Sequence, residues 1–173
     1  MLALRNAALY VLLVEVAIFL GRCNSCGSQF AVPLLADQSY GEFIARGELG
    51  RAAAYLNSFE EPAWSEIASI CEEFITLSEA KHTWSPAVRA FHYVVSRCID
   101  HVDGEALWID GRLACPACGA SDVAYGDTAK VGTVALPNAA FSCFQRLTAW
   151  QQRDRVAELL AEWQAAEQRT PHG

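Results

Sequence analysis

The strongest constraint on this 173-residue chain is a motif that occurs twice, Cys23-Asn24-Ser25-Cys26-Gly27 and Cys115-Pro116-Ala117-Cys118-Gly119. Two thiolates spaced by two residues can grip one ion from a single tight turn. The backbone N–H groups of that turn point at the sulfurs and spread their charge. Glycine after the second cysteine supplies the left-handed backbone that sends the chain back as a hairpin, and both copies have it. One turn offers half of a tetrahedral set and two complete it. Cys23, Cys26, Cys115 and Cys118 are therefore expected to share one metal ion. Zinc is the expected ion and iron the alternative, since both accept four sulfurs. With every position filled by protein, the ion acts as a staple joining distant parts of the chain.

The two motifs resemble the knuckles of zinc-ribbon and rubredoxin-type sites, over the motifs and about ten residues around each. The resemblance implies a small β-rich ribbon around the metal, and for the rubredoxin type an iron electron carrier. The spacing departs from it. Residues 27–114 lie between the knuckles, whereas ordinary ribbons have ~15–20 residues there. Loop closure costs only ~0.6 kcal/mol more per doubling of length. Structural zinc binding contributes on the order of 10 kcal/mol. A long insertion is therefore tolerated when it folds on its own and returns its ends close together.

Three other uses of these cysteines were weighed. A redox Cys-x-x-Cys belongs at a helix start within a βαβ unit, but here each knuckle runs into glycine and strand-like residues. A disulfide framework needs an oxidising compartment. A zinc deaminase needs His-x-Glu and then Pro-Cys-x-x-Cys. The chain instead has His101-Val102-Asp103, and Pro116 lies inside the knuckle.

Composition narrows the class. Hydrophobic residues make up 53% and charged residues 19%, which suits a packed domain and excludes a disordered chain. The net charge of −7 does not favour bulk attraction to phosphate backbones. The cysteine count is odd, at seven. Beyond the knuckles it leaves Cys71, Cys98 and Cys143 as expected buried thiols, in keeping with a reducing, cytoplasmic setting. A second metal site from Cys71, Cys98 and His101 is the less favoured reading.

Residues 7–21 are apolar except for Tyr10 and Glu15. They are short for a membrane span, which needs about 20 residues. The favoured reading is a buried element that ends as a strand and leads into the first knuckle. A membrane anchor through residues 1–21 is the alternative. Gln29 to Leu35 reads as the return strand. Ser39-x-x-Glu42 resembles a capping box and opens an expected helix over about 41–57, weakened by Gly47 and Gly50. A second helix starts at Pro62 and runs to about Lys81, with Trp64, Ile67, Cys71, Phe74 and Ser78 inward. Glu60 to Glu79 holds six glutamates and no basic residue. That run reads as a solvated surface, with an acidic docking face as the sharper alternative. A third helix runs from Ser85-Pro86 to about His101, with Val88, Phe91, Val95, Cys98 and Val102 inward.

Leu107 to Leu113 reads as a strand pair about Asp110-Gly111. Strands are expected at 122–125 and 131–136, and a helical tail from Pro137. Arg146, Arg153 and Arg155 in that tail read as solvated arginines, with a nucleic-acid contact as the alternative. The chain has no Gly-x-Ser-x-Gly, no dinucleotide glycine fingerprint and no His-Glu-x-x-His.

The expected fold is α+β, in a single domain. A metal ribbon comes from residues 16–35 and 105–136, a helical insertion from 39–102 and a helical tail from 137–168. The expected function is a non-enzymatic, zinc-stapled module that binds another protein. A nucleic-acid-binding ribbon is the runner-up and an iron electron carrier the third reading.

Overall fold

The computed structural model describes residues 13–35, 40–76, 85–109, 113–125 and 129–169. The described residues form a mixed α/β fold with antiparallel sheets, four helices and a cluster of four cysteines.

The first sheet is built on β1 (Leu13–Cys23). On one edge, β2 (Gln29–Leu34) folds back along it, pairing Arg22 with Gln29 through Ala17 with Leu34. The other edge is occupied twice. The strand β6 (Val123–Ala124) pairs with Cys23 and Arg22, and β7 (Gly132–Pro137) pairs with Ile18 through Leu13. β6 and β7 thus share that edge, one at each end of β1. Residues 13–21 are strand, as their β-branched Val14, Val16 and Ile18 favour, and not an anchor helix. No helix among the described residues is long and apolar enough to cross a membrane. Residues 1–12 lie outside the described residues.

The second sheet has the order β4-β3-β5, made of β3 (Glu42–Gly47), β4 (Ala53–Asn57) and β5 (Leu107–Trp108). This corrects the helix expected over 41–57, and with it that part of the helical insertion. The hairpin is a middle layer buried on both faces. Phe43, Ala45, Ala54 and Leu56 face the helices, while Ile44, Ala53 and Tyr55 face the first sheet beside Val16 and Leu136. A strand covered on both sides loses the alternation that marks a half-buried strand. Its many alanines then read as helix. Gly47 and Gly50, discounted as helix weakeners, make the turn: the Gly47 N–H donates to Ala52 O at 2.9 Å and the Gly50 N–H to Gly47 O at 3.0 Å.

Helix α1 (Pro62–Glu72) is capped by the Glu61 carboxylate, which accepts from the Ala63 N–H, and α2 (Pro86–Cys98) by the Ser85 hydroxyl, which accepts from Val88 N–H. Both have proline at the first turn, as expected. α1 is shorter than expected, stopping at Glu72. The part of the stretch to Lys81 from 77 onward lies outside the described residues. α2 stops at Cys98 because Ile99 turns extended (φ −66°, ψ 135°).

The expected strand pair over 107–113 reduces to β5, which pairs with β3 rather than with itself. Residues 110–112 lie outside the described residues, as do 126–128. Pro137 ends β7 instead of opening a helix, because Asn138 bridges to Tyr55 and the Ala139 N–H donates to Tyr55 O at 2.7 Å, joining the two sheets. Helices follow at α3 (Ser142–Gln145) and α4 (Ala149–Arg169). α4 begins with a capping box. Thr148 and Gln151 each accept the other's backbone N–H, at 3.3 and 2.9 Å.

The main core lies between the second sheet and α1, α2 and α4, around Ile67, Val94, Val95, Phe141, Val156 and Leu159. The core between the sheets is thin, made of Val16, Ile44 and Leu136 with partly buried neighbours. The four cysteines sit at the far end of β1 from that thin core.

Candidate metal centre

Each knuckle is built the same way. The Gly27 N–H donates to Cys23 O at 2.9 Å, and the Gly119 N–H to Cys115 O at 2.7 Å. The Cys23 N–H donates to Ser28 O and the Cys115 N–H to Ala120 O, both at 2.9 Å. Gly27 and Gly119 have φ of +74° and +75°, the left-handed geometry for which the motif keeps glycine. The first knuckle is the turn between β1 and β2. The second is held to it by β6, which pairs with Cys23 itself. Asn24 adds a clamp: its N–H donates to Asp122 O and its side-chain amide to the Asp122 carboxylate, both at 2.9 Å.

All four sulfurs lie within 4.8 Å of one another. Cys23 and Cys118 are 3.6 Å apart and Cys26 and Cys115 3.7 Å. A tetrahedron with metal–sulfur bonds of ~2.3 Å has sulfur–sulfur edges of ~3.8 Å, whereas a disulfide is ~2 Å. The four side chains therefore fit a metal ion and are too far apart for disulfides. Among the described residues this is the one group of three or more cysteine, histidine or acidic side chains placed to hold a metal. Cys23 and Cys115 are buried, and Cys26 and Cys118 close the set from the solvent side.

The thiols titrate against each other. The hydroxyl and backbone of Ser28 lower Cys26 to about 6. At Cys118 the Ala120 amide favours the thiolate, but hydrogen bonding to the Cys26 side chain prevails and the thiol is raised to about 12. Sulfurs this crowded cannot all carry charge alone, and a bound cation would hold all four as thiolates.

The remaining cysteines separate. Cys71 and Cys98 are buried, and burial pushes both thiols up to about 12, with Cys98 itself a second cause at Cys71. They are neutral core thiols. His101 does not join them, because the chain leaves the helix at Ile99 and His101 is exposed. Cys143, expected to be buried, is exposed instead and is hydrogen-bonded by Arg146 at 3.4 Å. Of the arginines in the tail, Arg153 pairs with Glu73 at 2.6 Å and Arg155 with Glu158 at 3.4 Å.

Three further features carried no motif in the sequence. The Asn24–Asp122 clamp could have been suspected only from two polar residues beside the cysteines. At the hairpin tip, the carbonyl of Ala114 lies where a side chain on Gly50 would project. Trp150 stands exposed at the start of α4. No protein-family model matches the chain, and neither curated proteins nor solved structures gave a match.

Proposed function

We propose that this chain is a non-enzymatic, zinc-stapled module that binds another protein through the face formed by α1 and α4. Zinc is preferred to iron because the fold is far larger than a simple electron carrier needs, and with four sulfurs filling its positions the ion acts as a structural staple. The ion's contribution is to tie the β1–β2 turn to the segment before β6, where little apolar core holds the sheets together. The supporting observation for binding is a groove of about 810 Å³ between α1 and the start of α4, lined by Ile70, Glu66, Glu73, Trp150 and Arg153. Trp150 is 70% exposed there, and Phe74, under the Arg153 guanidinium, is 41% exposed. Exposed tryptophan in a groove is typical of binding surfaces. The glutamates of α1, with Arg153 already tied to Glu73, make a basic amphipathic helix the fitting occupant.

The test is fluorescence anisotropy with a labelled Lys/Leu amphipathic helix, its Glu/Leu counterpart, and a labelled DNA duplex at low salt. Binding of the basic helix alone, lost in Trp150→Ala, is the expected result. Binding of DNA alone would replace this reading with the nucleic-acid one. Colour and one iron per chain would move it to electron transfer.

A further inference from the structure

The structure holds a second cavity, on the side of the helical layer where α2 ends. It lies between the end of α2, α3 and α4, has a volume of about 520 Å³, and is therefore of small-molecule size. Its floor is apolar: Ile99 and Phe144 are 4% and 3% exposed, and Leu147 and Cys98 complete it. Arg97 and Arg155 reach it from α2 and α4, and both guanidinium groups act on the Cys98 thiol at its wall, favouring the thiolate against burial. Two arginines from different helices thus converge on one apolar cavity in a chain of net charge −7.

The carboxylate in the cavity keeps its charge but forms no ion pair with either arginine among the described residues. Asp100 is committed, its two oxygens accepting from the Ser142 and Cys143 N–H groups at 2.9 and 3.0 Å. Arg155 has only a solvent-exposed contact with Glu158 at 3.4 Å, of the kind that contributes little. Arg97 lies 5.9 Å over the Trp108 ring and has no carboxylate partner among the described residues. An apolar floor beneath two guanidinium groups suits a ligand with an apolar body and an anionic head, and a planar carboxylate is the smallest head that the guanidinium fork meets.

We propose that this cavity binds a small monocarboxylate with an aliphatic or aromatic body, the carboxylate between Arg97 and Arg155 and the body against Phe144 and Leu147. The site is separate from the four cysteines and from the α1–α4 groove, and does not depend on either.

The test uses the full-length, metal-loaded, ¹⁵N-labelled protein and octanoate as the probe, with octanamide as its neutral equivalent. Octanoate is expected to give saturable shifts at the Ile99, Cys143 and Phe144 amides and at the arginine side chains. Octanamide is expected to bind about tenfold more weakly, as loss of a charge-assisted pair implies. Arg97→Gln and Arg155→Gln should each weaken octanoate about tenfold, with Arg155→Lys restoring part of the loss. Should a variant not fold, salt on the parent protein serves instead, weakening octanoate and sparing octanamide. Equal binding of acid and amide, shifts confined to the α1–α4 groove, or no saturable shift would each overturn the proposal.

Discussion

Replacing Gly50 with alanine tests whether the β3–β4 hairpin braces the second knuckle. Gly50 has φ of +67°, where an L-residue costs ~1–2 kcal/mol. The added Cβ would also stand 2.7 Å from the carbonyl oxygen of Ala114. That oxygen belongs to backbone one residue before the buried Cys115, so it cannot swing aside as a side chain tip would. Overpacking of this kind costs ~1–3 kcal/mol. The expected total is ~2–5 kcal/mol. Gly104 supplies the control: its φ is +80° and nothing lies within 4 Å of its would-be Cβ. Gly104→Ala should therefore cost only the conformational part, ~1–2 kcal/mol. Urea unfolding followed by tryptophan fluorescence separates the two, since a further ~2 kcal/mol lowers the midpoint by about 1 M at ordinary slopes. Competition with a chromophoric chelator should show weaker metal binding in Gly50→Ala and unchanged binding in Gly104→Ala. Equal midpoints and equal metal affinity in the two variants would refute the bracing.

Ile44 is 5% exposed and belongs to the thin core between the two sheets. Ile44→Ala should cost ~2–5 kcal/mol in urea unfolding, and a loss under ~1 kcal/mol would mean that the sheets are held mainly by other contacts. Cys71→Ser places a hydroxyl among apolar neighbours and should cost ~1–3 kcal/mol while metal content by elemental analysis stays the same. A fall in metal content would establish a role for Cys71 in metal binding. Burial acts to raise the Asp100 carboxyl, yet the Cys143 and Ser142 amides prevail and hold it below its ordinary value. A carboxyl lowered by folding stabilises the protein above its unfolded value and loses that contribution as pH falls through the lowered one. Asp100→Asn should therefore flatten the acid limb of the stability profile below about pH 4, and an unchanged limb would show that this carboxylate does not report on folding.

The sequence by itself determined the features whose cause is local. Cys-x-x-Cys-Gly needs its glycine because the turn reverses within five residues, and the two copies demanded a common site before any contact was known. The starts of α1 and α2 were legible for the same reason, since a proline at the first turn and a capping side chain act within one turn of helix. The strand leading into Cys23 followed from its β-branched residues. What the tertiary structure alone decided was everything set by a second surface. Residues 42–47 and 53–57 are strand because a sheet covers one face and helices the other. That double burial erases the period of two and leaves an alanine-rich run that local propensity assigns to helix. His101 leaves the face of Cys98 because Ile99, just after the helix, is extended, which helical periodicity has no means to signal. Cys143 is exposed because the short helix α3 turns Phe144 into the core and leaves its neighbour outside. The cavity under Arg97 and Arg155 needs two helices far apart in sequence, so no motif could have announced it. Local chemistry is written in neighbouring residues, whereas burial on both faces of an element depends on partners that only the folded chain supplies.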